Sequence, residues 1–84
     1  MPIETTRLMQ AAAKAQAMSD DSGETYTLTL GVTGVVAMGF RSGVAGEVKR
    51  FVGYAEIERS RNDPIIDALR YVRHQLRYGR EEPQ

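Results

Sequence analysis

The chain has 84 residues, 42% of them hydrophobic and 26% charged, and eleven Lys and Arg balance eleven Asp and Glu to a net charge of zero. That length gives one core and excludes a second domain, and the neutral balance excludes a global field that would draw the chain to polyanions. With no cysteine, a disulfide framework, a thiolate metal site and a thiol nucleophile are excluded as well.

The longest apolar run, Val35 to Met38, is far too short for a bilayer span, and the first residues lack the charged-then-apolar order of a secretion signal. A cytoplasmic protein without membrane contact is the expectation. Charge is unevenly spread: residues 1–40 hold two basic and four acidic side chains, and the remainder carries the compensating excess of Arg and Lys.

Thr5 to Met18 is rich in strong helix formers, with Thr5 or Thr6 as a cap. Leu8, Ala12 and Ala15 fall on one narrow side and Met9, Ala11 and Met18 on its margins, so the helix is expected to lie closely against a sheet. The polar stretch Ser19 to Gly23 should end it.

From Glu24 the period changes to two: Tyr26, Leu28, Leu30 and Val32 alternate with Thr25, Thr27, Thr29 and Thr33, which predicts a half-buried strand with a threonine face. The segments GVTGVV (31–36) and GVAGEV (43–48) echo each other, and each G-V-x-G reads as the turn that launches the next strand. Strand two is predicted over Val35 to Arg41 and strand three over Glu47 to Ile57, with a bulge near Gly53. Val36, Met38 and Phe40 on one side of strand two and Val35, Ala37 and Gly39 on the other make it apolar on both faces.

Asp63 and Pro64 form a helix start, the carboxylate as N-cap and proline at the first helical position. Ile65, Leu69, Val72 and Leu76 recur at spacings of four, three and four, a continuous inward stripe, and Gly79 closes the helix. Residues 80–84 read as a tail. The predicted fold is therefore α+β, one domain over 1–84 with an ordered core of about 5–79, in the order helix, three-stranded antiparallel meander, helix.

On that last helix Arg70, Arg73, Arg77 and His74 sweep one flank, and Tyr71 and Tyr78 are expected together on the other. With Arg59, Arg61 and Arg80, residues 59–80 hold six arginines against Asp63 and Asp67. The element order is similar to that of double-stranded RNA-binding domains, which implies phosphate recognition by a basic cluster at the start of the final helix. Here that start carries Asp63 and Asp67, which repel phosphate. The arginines lie in the middle and last turns, where cations complement the helix dipole and Asp67 can pair with Arg70 or Tyr71. The guanidinium groups are expected to face water, so that exchanging Arg70, Arg73 and Arg77 for Gln would leave folding nearly intact.

Other chemistry finds little support. Asp63, Asp67 and His74 span about 16 Å of helix rise, too far to meet one ion. The glycines lack the flanking residues of phosphate-binding loops, GVTG and GVAG lie between strands and not between helices as in KH domains, and no serine has a base beside it. No catalytic residue, cofactor site or metal site is expected. The expected function is docking on another protein, as an adaptor, a subunit or an inhibitor of the kind that accessory and phage genes encode, an association resting on size alone. Arg70, Tyr71, Arg73, Arg77 and Tyr78 are the candidate contact residues, since Arg and Tyr concentrate interface energy. Nucleic-acid binding through the same arginines is the alternative. A homodimer through an open sheet face is a further expectation if both helices pack on one side of the sheet, which would leave Thr27, Thr29, Val35, Ala37 and residues of strand three open; whether they do is left open by the sequence.

Overall fold

A computed structural model describes residues 5–43, 46–60 and 62–79, so that Arg61, Arg80, the tail, and Val44 and Ala45 of the second glycine turn lie outside the described residues. The order is α1 (Thr5–Ser22), β1 (Glu24–Leu30), β2 (Gly34–Arg41), β3 (Glu47–Gly53), α2 (Tyr54–Arg59) and α3 (Pro64–His74), continued by a π-helical turn (Gln75–Gly79). The three strands form one antiparallel sheet in the order β1-β2-β3, as expected of an α+β chain with an αβββα plan. Among the described residues no helix is long and apolar enough to cross a membrane.

Register fixes which side chains share a face. Val35 pairs with Val52, Ala37 with Arg50 and Gly39 with both Tyr26 and Val48, while Thr27 pairs with Met38 and Met38 with Lys49. Both long helices lie on the first of these faces: α1 packs along β1, and α3 packs on β2 and β3. The inner core joins Tyr26, Val35, Ala37 and Val52 of the sheet to Ala11, Ala15 and Met18 of α1 and to Ile65, Ala68, Leu69 and Val72 of α3. The predicted stripe on α3 is thus inward, with Ile65, Leu69 and Val72 fully buried and Leu76 partly so.

Several boundaries differ from expectation. Strand three stops at Gly53 with no continuation to Ile57, because Ala55, Glu56, Glu58 and Arg59 supply helix formers and the amphipathic turn buries Ile57. The Arg7 guanidinium locks that short helix by donating to the carbonyls of Ile57 and Asn62, each at 3.1 Å. Helix α1 runs on through Ser22 and ends at Gly23, whose φ is +75°. Its inward stripe is Leu8, Ala11, Ala15 and Met18, with Ala12 exposed, a rotation of one residue from the predicted side. Leu30 and Val32 are not half-buried strand residues: Leu30 is 54% exposed and Val32, in the turn, 96%.

The two glycine turns also differ. Gly43 and Gly46 adopt positive φ, as a tight turn requires, whereas Gly31 and Gly34 do not. Close approach decides Gly39 instead, where an added Cβ would stand 2.7 Å from Val72 Cγ1 and 2.9 Å from the Tyr26 ring. Glycine at that position lets α3 settle onto the centre of the sheet.

Candidate functional site: the basic flank and the open sheet face

Asp63 starts α3 as predicted, its Oδ1 accepting from the backbone N–H of Ile65 at 3.0 Å and of Ile66 at 3.3 Å. Those amides are the ones a phosphate would need at a helix start, and they are already taken. One turn on, Asp67 meets Arg70 at 3.6 Å in an exposed i,i+3 pair.

Along the flank, Arg70, Arg73, His74, Arg77 and Tyr78 line one shallow hollow. Four of the five sequence-predicted contact residues therefore come together. Tyr71 does not: it turns toward β3, where the Arg50 guanidinium lies 5.5 Å from its ring centre, and Tyr78 packs against His74 with the rings tilted at 52° and centroids 5.2 Å apart. The pairing of Tyr71 with Tyr78 is thereby corrected. Tyr78 is only one turn beyond His74 and shares its side of the helix.

The expectation that every guanidinium faces water is corrected at Arg77. Its Nε donates to both carboxylate oxygens of Glu24, at 3.1 and 3.0 Å, and its Nη2 to Oε1 at 2.9 Å. Glu24 is the first residue of β1 and is only 3% exposed. It also accepts from Arg41 Nη2 at 2.7 Å, across the β1–β2 register, and from the Tyr26 hydroxyl at 2.7 Å, two residues along the same face.

A buried carboxylate is tolerable only with such a set of donors. Burial and the bond to Glu24 push the Tyr26 phenol up to about 12, and the same carboxylate holds the Arg77 guanidinium above its ordinary value. No local pattern signals this site, since a glutamate opening a strand ordinarily reads as exposed and its partner is 53 residues away.

Charge bookkeeping along the flank leaves an excess. One carboxylate shares two guanidiniums, Arg70 is offset by Asp67, and Arg73, half-buried, makes no ion pair among the described residues. Arg73 also borders a second hollow with Lys14, Ala17, Met18 and Asp20, between α1 and α3.

The second surface is the outer face of the sheet. Here Val36, Met38 and Phe40 form the central column, Thr29, Thr27 and Thr25 flank it on β1, and Phe51, Lys49 and Glu47 flank it on β3. Both long helices lie on the opposite face, so the sequence's open question resolves to a two-layer fold. The open column is Val36–Met38–Phe40, half-buried at Val36 and Met38 and exposed at Phe40, and not Val35 and Ala37, which are buried beneath the helices. Phe40 is 40% and Phe51 52% exposed.

The β1 edge is less available to a partner strand. Tyr26 N–H donates to Ser19 Oγ at 3.0 Å, so a hydroxyl from α1 stands where the next strand's carbonyl would dock. Comparison with protein-family models, with curated proteins and with solved structures finds no match to this chain.

Proposed function

We propose that the chain is a small non-enzymatic binding protein whose last helix docks on an acidic surface of another protein. The single observation that supports this reading is the hollow shared by Arg70, Arg73, His74, Arg77 and Tyr78. Glu24 fixes Arg77 by its Nε and Nη2, which leaves Nη1 to serve a ligand and holds the guanidinium in place without fresh entropic cost. Arg70 and Arg73 supply adaptable charge beside it, and Tyr78 supplies a rigid apolar plane with a polar end. Tyr71, set against Arg50, belongs to the margin of the contact.

The competing reading is nucleic acid on the same arginines. It is disfavoured by the occupied amides at the start of α3, by Asp67 beside Arg70, and by the short reach of the flank, about 10 Å from Arg70 to Arg77. Titrating isotope-labelled protein with a polyglutamate peptide, and separately with generic duplex RNA and DNA at two salt concentrations, distinguishes them. The proposal predicts peptide-induced shifts at the Arg70 and Arg73 Nε groups and the Tyr78 ring, lost in an Arg70→Gln, Arg73→Gln double variant. Duplex binding with a log-log salt slope near −2.7, as about three neutralised phosphates require, would replace it with the nucleic-acid reading. Silence toward every probe defeats both.

A further inference from the structure

The outer face of the sheet points to its own occupant. We infer that it is the contact surface of a homodimer in which two sheets stack face to face about a two-fold axis parallel to β2. That face carries three columns: threonine on β1, apolar on β2, and Phe51, Lys49 and Glu47 on β3. Rotation about an axis along the strands sets the central column on itself, so Met38 meets Met38 of the second copy, and lays each β3 on the other copy's β1.

Every row then matches. Phe51 falls on Thr29, Lys49 on Thr27 and Glu47 on Thr25, so the rim charges meet hydroxyls and no like charges oppose. The other two-fold arrangement, with the axis across the strands, would set Lys49 on Lys49, which the repulsion of like charges disfavours. Lys49 and Glu47 already neutralise each other at 3.0 Å, so the face carries no net charge for a second copy to overcome.

Size sets the strength. Seven residues at about 3.3 Å by three strands at about 4.8 Å give a flat patch of roughly 300 Å² per copy. Side-chain relief brings the total buried area to on the order of 1,000 Å², the lower end for a specific interface. The dimer is accordingly reversible, and its association is concentration-dependent. The helices lie on the far side of each sheet, so the two basic flanks face away from each other and the pair is bivalent.

Sedimentation velocity on the full chain, from low micromolar to near-millimolar concentration, tests this. The expected result is a rise in apparent mass from 9.3 kDa toward twice that value. The variant Met38→Lys should stay at monomer mass with an unchanged far-ultraviolet circular dichroism spectrum. Because the chain lacks cysteine, cross-linking provides a second route that does not depend on how that variant folds. With a short bis-maleimide that spans the about 10 Å between stacked sheets, Met38→Cys should form a covalently linked dimer with itself. Lys49→Cys should do so only when mixed with Thr27→Cys. Monomer mass at every concentration overturns the inference, as does a dimer that survives Met38→Lys or a Lys49→Cys chain that cross-links to itself as readily as Met38→Cys.

Discussion

Replacing Glu24 with Gln keeps the shape of the side chain and removes its charge. In the folded protein that carboxylate accepts from the Tyr26 hydroxyl, from Arg41 and from Arg77, and it is 3% exposed. The substituted amide presents an N–H₂ group to guanidinium donors, so at least one contact becomes donor against donor. Removing one side of a fully buried pair costs about 3–5 kcal/mol. The Arg41 and Arg77 side chains are 41% and 34% exposed and can turn to water, which lowers the expected loss to about 2–3 kcal/mol. For a domain whose whole stability is about 4–12 kcal/mol, that is a fall in Tm of roughly 10–20 °C. Urea and thermal unfolding followed by circular dichroism measure it directly. A loss below about 0.5 kcal/mol, the level of an ordinary surface change, would refute the reasoning. So would a double-mutant cycle with Arg77→Gln in which the two effects simply add, since contacting partners must couple.

Other consequences can be checked with equal directness. The Tyr26 phenol is more acidic in the unfolded chain, near its ordinary value of 10, than in the folded one, where it is pushed up to about 12. The folded state therefore holds that proton more tightly, its contribution to stability is complete below pH 10, and it is lost as pH rises from 10 toward 12; absorbance titration of the folded protein should reveal one late phenol among four tyrosines, missing in Tyr26→Phe. Gly39→Ala drives a methyl into Val72 and the Tyr26 ring and should cost about 1–3 kcal/mol in urea unfolding; no loss would mean that α3 does not rest on β2 there. Arg70→Gln with Arg73→Gln should leave Tm within a few degrees while Leu69→Asp prevents folding. Adding Arg77→Gln should lower Tm further, contrary to the sequence expectation for that triple change.

How much of this was legible in the sequence depends on whether a residue's partners are local. The start of α3 was, because Asp63 and Pro64 act on amides two and three residues away, and so was its stripe, because Ile65, Leu69 and Val72 report the core side by spacing alone. The alternation of β1 was equally readable, with Tyr26 buried and Thr25, Thr27 and Thr29 exposed. The two faces of β2 were not, since Val35 and Val36 are equally apolar and only the positions of α1 and α3 decide between them. Residues Tyr54 to Arg59 carry two β-favouring side chains, Tyr54 and Ile57, yet fold as helix once Ile57 is buried and Arg7 reaches its carbonyl.

The basic flank was visible as composition, and four of its five predicted contact residues do share a hollow. Its internal electrostatics were hidden. Nothing near Arg77 in the chain announces Glu24, and the meeting requires both the β1–β2 register and the π-helical turn that ends the chain's last helix. Tyr71 and Tyr78 were separated for a similar reason: Arg50, on β3, offers Tyr71 a cationic partner that helix geometry alone cannot foresee.

Which side of β2 the helices cover decides where both surfaces lie, and thiol accessibility in dilute solution measures that most directly. Reaction of the Met38→Cys and Ala37→Cys variants with a soluble thiol reagent should be fast at position 38 and blocked at position 37 until the domain unfolds. Fast reaction at position 37 with protection at position 38 would contradict it.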